Sequence, residues 1–136
     1  MLRRVLVVLH AVIGIAAVGA GQAFVRDPSG VVLGMDVAWL RASPFRDYLI
    51  PGLFLLVVIG GTNLLSAAAL WQRHEQAPRR SLATSLLLVA WVAIQTGILG
   101  FRHWSQAIWW LTFVVMGILA MLLTVRSSDD SDDGPA

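Results

Sequence analysis

The chain has no cysteine, no lysine, a single tyrosine and few charges of either sign. Without cysteine there is no disulfide, no thiol redox chemistry and no thiolate-bound metal. Charged residues make up 13% of the 136 positions, roughly half the share of an ordinary soluble domain. Hydrophobic residues make up 57%, and the mean hydropathy is +0.75. Together these values exclude a disordered chain, a nucleic-acid-binding domain and a water-soluble enzyme. A soluble fold of this length cannot hide so much apolar surface, so a bilayer must act as the solvent. No HExxH, P-loop, GxSxG or paired-carboxylate arrangement is present. No catalytic residue, metal ligand or cofactor is therefore expected.

What is present is four long apolar runs, at about 5–25, 48–71, 81–101 and 104–125. Each has about the 20 residues that cross a hydrocarbon core of about 30 Å. None carries an interior Asp, Glu, Lys or Arg. The runs lack the alternation of barrel strands, so helices are the expected spanning form. The first run has a second reading. Arg3-Arg4 and the small-x-small Gly21-Gln22-Ala23 also suit a signal peptide. The run exceeds the ~7–15 residues of such an apolar region, so an uncleaved helix is expected.

All ten basic residues other than histidine are arginines, against eight acids. Four acids (Asp129, Asp130, Asp132 and Asp133) sit in the last eight residues, so the body carries 10 − 4 = +6. Arg3, Arg4, Arg73, Arg79, Arg80 and Arg126 fall on one side of the runs, and Arg26, Arg41, Arg46 and Arg102 on the other. The crowding of Arg73, Arg79 and Arg80 in one short connection places both termini in the cytoplasm. The expected location is the bacterial inner membrane.

The connections differ in kind. Gln72 to Arg80 reads as a polar turn with Pro78, and Arg102-His103 barely separates the last two runs. The long connection holds a turn signal at Asp27-Pro28-Ser29-Gly30. Asp36 is placed to cap a short segment with Trp39 and Leu40. Ser43-Pro44 resembles a cap followed by proline at the first helical position, and Pro51-Gly52 predicts a kink two turns later. The expected fold is all-α: a four-transmembrane-helix antiparallel bundle over residues 1–126, with an interfacial helical elbow in the first loop. Residues 127–136 are expected to form a disordered acidic tail.

The segment SPFRDYLIPGLFLLVVIGGTNLLSAAALW (Ser43 to Trp71), the Trp91 and Gln95 pair, and Trp104-Ser105-Gln106 carry a resemblance. Over residues 35–125 the chain resembles a family of small uncharacterised four-helix bacterial integral membrane proteins. The resemblance implies the topology and brings no reaction, ligand or catalytic residue with it. Size and helix count also resemble small multidrug transporters, but the membrane-embedded Glu of their first helix has no counterpart here.

Polar residues inside the runs are the natural functional candidates. His10 and Asn63 differ in estimated depth by only ~3 Å at 1.5 Å per residue, so a hydrogen bond between the first two helices is feasible. Gln95 and Thr112 form a second feasible pair toward the outer side. Haem is disfavoured, because His74 lies in a loop and His103 on the opposite face from His10. Gly14, Ala17 and Gly21, together with Gly60 and Gly61, mark faces suited to close packing. Trp91 is expected to point inward, and the other tryptophans to anchor at the interfaces. The outer face holds Asp36, Arg41, Arg46, Asp47, Tyr48, Arg102, His103 and Gln106 as weak binding candidates, with an Asp47–Arg102 contact expected.

The expected function is a non-enzymatic integral membrane protein, a lipid- or protein-associating small subunit. The alternatives are a small transporter or channel component, and a membrane enzyme with an outer-face polar site. Membrane lipids are the expected partners, with a membrane-protein partner or a second copy beside them and no nucleic acid. The topology is testable with single cysteines introduced at Ser29 and Ser127. An impermeant thiol reagent on intact cells should label the first and spare the second; labelling at Ser127 would overturn the orientation.

Overall fold

The computed structural model describes residues 1–101 and 104–132. Among these, every regular element is helical. Four helices are long and apolar enough to cross a membrane: α1 (Leu2–Arg26), α2 (Leu49–Trp71), α3 (Ala77–Leu99) and α4 (Ser105–Asp132), the last through its span Gln106–Ser128. Two short 3₁₀ turns, Val31–Leu33 and Val37–Ala42, lie between α1 and α2.

Several boundaries depart from the sequence reading. α3 starts at Ala77, not Ser81, with Pro78 in its first turn. A proline there gives up an N–H that would have no intrahelical partner anyway, so Pro78 begins the helix instead of belonging to a turn. Ser43-Pro44 does not start a helix; Ser43 Oγ accepts only from the Phe45 amide at 3.2 Å. α2 instead begins at Leu49, whose amide donates to Asp47 Oδ1 at 2.9 Å. Pro51 then falls in the first turn, where a proline gives up no intrahelical hydrogen bond. The irregularity lies farther on, where Phe54–Gly60 winds as a π-helix. Its wider turns still close their backbone bonds internally, as a segment in hydrocarbon must. Past this segment, Thr62 Oγ1 donates to the Val58 carbonyl and Asn63 Nδ2 to the Ile59 carbonyl. α4 continues to Asp132, into the stretch expected to be disordered. The hydroxyls of Ser127 and Ser128 bond back to the Thr124 carbonyl there, a local pattern that serines make within a helix.

Three apolar clusters succeed one another along the helices. Leu6, Leu70, Ala77 and Ala120 pack at the end that carries Arg3. Ile13, Ile59, Leu88, Val92, Phe113 and Met116 fill the middle. Phe24, Leu40, Tyr48 and Leu99 close the end that carries the long connection. Tyr48 holds that connection down. It is buried, its amide donates to the Pro28 carbonyl at 2.9 Å, and its hydroxyl donates to the Asp36 carbonyl at 2.9 Å. Its ring stacks on Phe24 at 4.9 Å. Asp36 caps its 3₁₀ turn as expected, accepting from the Ala38 amide at 2.8 Å. Hydrogen bonds from Ser29 first, then from the Val32 amide, hold the exposed Asp27 carboxyl below its usual pKa.

Glycines let the backbones of α1 and α2 meet. A Cβ built on Gly21 would lie 2.6 Å from the Leu56 amide nitrogen and 2.8 Å from the Gly52 carbonyl oxygen. Backbone atoms cannot step aside as a flexible side chain can. Gly61, by contrast, faces open space. Gly21→Ala should therefore destabilise the protein by about 1–3 kcal/mol, the usual cost of overpacking. Gly61→Ala should be close to neutral. Unfolding in detergent compares the two, and equal losses would disprove the close approach.

Candidate functional site

The interior offers two places of interest: a polar cluster toward the Arg3 end and a pair of apolar cavities toward the other. The polar cluster is built on His10. Its Nδ1 lies 2.8 Å from Asn63 Oδ1, the pairing expected from depth. Its Nε2 lies 2.8 Å from Ser81 Oγ on α3, a partner the sequence reading missed. The donors can be assigned. Asn63 Oδ1 is acceptor-only and Asn63 Nδ2 already donates to the Ile59 carbonyl, so Nδ1 carries the hydrogen of the neutral ring. Ser81 then donates to Nε2. Beside this cluster, Ser66 and Thr84 bond across α2 and α3 at 2.9 Å, and Ser85 Oγ donates to the Ser81 carbonyl.

The connectivity of Ser81, His10 and Asn63 is that of a nucleophile, a base and an orienting group. Access is what it lacks. All three side chains are 0% exposed, and none lines the cavities described below. As placed, the cluster meets no substrate. It ties three helices together with every buried side-chain polar atom satisfied.

The larger opportunity lies at the other end. A cavity of 310 Å³ is walled by α1 (Ala17, Ala20), the π segment (Leu55, Ile59), α3 (Leu88, Trp91) and α4 (Trp109, Phe113). Leu33 and Met35 of the long connection also line it. A second cavity of 340 Å³ adjoins it, sharing Phe24, Met35, Leu55, Trp91 and Gln95. Trp91 points inward as expected and stacks on Phe54 at 4.8 Å. Gln95 is the one polar side chain common to both cavities. Ala16 and Trp109 line the first cavity while being exposed, so it opens sideways between α1 and α4.

The remaining expectations divide. Gln95 and Thr112 do not pair. Thr112 Oγ1 turns back to the Ile108 carbonyl at 2.8 Å, and the α3–α4 bond at this level runs from Trp110 Nε1 to Thr96 Oγ1 at 3.1 Å. Asp36 caps its 3₁₀ turn, and Asp47 accepts from the Leu49 amide just before α2. Arg41 and Arg46 border a separate shallow depression with Ser43 and Phe45. Gln106 donates to the Gly100 carbonyl at 3.0 Å and reaches the first cavity. Arg102 and His103, and with them the Asp47–Arg102 contact, lie outside the described residues. Among the described residues, the outer-face candidates thus do not converge on one centre.

If the His10 cluster is a clasp, its members are coupled. Asn63→Leu strands a buried ring N–H and should cost about 1–3 kcal/mol. His10→Leu should cost a similar amount, and the double variant less than the sum by at least ~0.5 kcal/mol. Strictly additive losses in an unfolding cycle would show that ring and amide do not interact.

No family model, curated protein or solved structure matches the chain.

Proposed function

We propose that the chain is a non-enzymatic, multi-pass protein of the bacterial inner membrane that holds a lipid-like amphiphile within its outer half. In this reading the four helices form an antiparallel bundle with both termini cytoplasmic. The connection between α1 and α2 is then an elbow at the outer interface. The family suggested by the Ser43–Trp71 segment fits the same picture.

The observation that supports the reading is a pair of adjoining apolar cavities that share a single amide, Gln95, on their walls. Pockets that are mostly apolar and carry few polar groups take ligands whose body is buried and whose polar atom fixes orientation. Gln95 offers one donor and one acceptor group, suited to a hydroxyl, ester or ketone oxygen. The wall carries no ionised side chain, so a charged group would be poorly accommodated. The sideways opening suits a ligand that arrives from the lipid phase. A transporter would need more: a coupling group or a path through the other half. There His10 is fully committed to Asn63 and Ser81, and the apolar cluster around Leu6 and Leu70 is packed.

Mass spectrometry of the protein purified in mild detergent should find about one bound amphiphile per chain. Ala20→Phe, which fills the cavity, should abolish the adduct. Gln95→Leu should weaken it about fivefold, the usual worth of one hydrogen bond. Recovery of the adduct at wild-type level in Ala20→Phe would refute the cavity as its site.

A further inference from the structure

At the opposite end from these cavities lies a polar one, and no role described so far uses it. It has a volume of 430 Å³ and is lined by Arg3, Arg73, Arg79, His74, Glu75 and the end of α4 at Ser127 and Ser128. We infer that this cavity binds a phosphate oxyanion, in the form of an anionic lipid headgroup or free phosphate.

Charge comes first. Among the described residues that line it, three guanidinium groups face one carboxylate, that of Glu75, an excess of 3 − 1 = +2. They come from three different elements: the first turn of α1, the α2–α3 connection and the first turn of α3. No hydrogen bond or ion pair among the described residues occupies any of the three. Arginine forks match the oxygens of phosphate, and unpaired ones gathered around a concavity form a receptor for it. His74 adds a donor. Its Nδ1 accepts from the Gln76 amide at 3.2 Å, so its hydrogen sits on Nε2. The serines add none, since both hydroxyls donate to the Thr124 carbonyl.

Backbone conformation supplies an independent argument. α2 ends in a Schellman motif: the His74 amide reaches the Ala69 carbonyl at 3.0 Å and the Arg73 amide the Leu70 carbonyl at 3.3 Å. The residue at the left-handed position of such a cap is usually glycine. Here it is Arg73, at φ 55°, the only described residue other than glycine with positive φ. A side chain kept at a conformational cost, where its absence would be favoured, points to a use for that side chain.

The test exploits this conflict. Arg73→Gly should raise the melting temperature, because it relieves the cap, and should lower anion affinity about fivefold. That factor corresponds to the ~1 kcal/mol of one arginine near an anionic lipid surface. Arg79→Gln should weaken binding by a similar factor. Arg80→Gln should change it less than about twofold; Arg80 is exposed beside the cavity without lining it. The full chain in mild detergent is titrated with phosphatidylglycerol, with phosphatidylcholine and with inorganic phosphate alone. Binding of phosphatidylglycerol undisturbed by millimolar phosphate identifies a headgroup site, and displacement by phosphate identifies a free-anion site. Wild-type affinity for both anions in Arg73→Gly and Arg79→Gln overturns the inference. So does an equal loss in Arg80→Gln, which would mean diffuse attraction and no site.

Discussion

A histidine ring with two nitrogens to satisfy, set among helices with no water in reach, governs how this chain packs. His10 solves the problem by reaching Asn63 on α2 and Ser81 on α3 at once. Each bond in a membrane interior is worth only about 0.6–1.7 kcal/mol net. Their greater effect is on specificity. An apolar face can slide against another at little cost, whereas a stranded ring nitrogen cannot be left unpaired. Three helices therefore have one rotation and one depth in common at this level. The glycine contacts of α1 with α2 add close approach to that fixed register.

The consequence is an uneven interior. Toward the Arg3 end, small residues and hydroxyls fill the space between helices, and Ser66, Thr84 and Ser85 satisfy one another or the backbone. Toward the long connection the helices carry large aromatic side chains: Phe24, Phe54, Trp91, Trp109 and Phe113. Large rings that stack in pairs leave gaps that smaller chains would close. The closed half holds the structure together, and the open half is free to hold something else. Tyr48 bounds the open half by fastening the connection to its first proline and to Asp36.

Much of the fold was legible in the sequence, since length and apolarity alone mark four spans. The His10–Asn63 bond could be read because depth follows from counting residues at a fixed rise. Ser81 escapes because it stands at the very start of the apolar run. The helix starts a turn earlier, at Ala77, and so carries Ser81 inside. The Gln95–Thr112 pair failed for the opposite reason. Depth matched, but a threonine hydroxyl can always return to the carbonyl one turn behind it. The cavities had no signature in the sequence, because a void depends on how side-chain volumes meet across helices. The π segment likewise leaves no mark in an apolar run, and the reading placed the irregularity of α2 at Pro51-Gly52.

That π segment has an implication for the length of the chain. Each residue of an α-helix turns the path by about 100°. The wide turns of Phe54–Gly60 turn the path by less per residue, and so absorb about one residue of extra chain. Upstream of them, Gly52 meets Phe24 and Gly21 of α1; downstream, Asn63 meets His10. Removing a single residue from the segment would let α2 wind regularly with both faces in their present phase, whereas regular winding of the same number of residues would turn one of them away by about a quarter turn. The segment thus sets the phase between the two seams that α2 presents to α1.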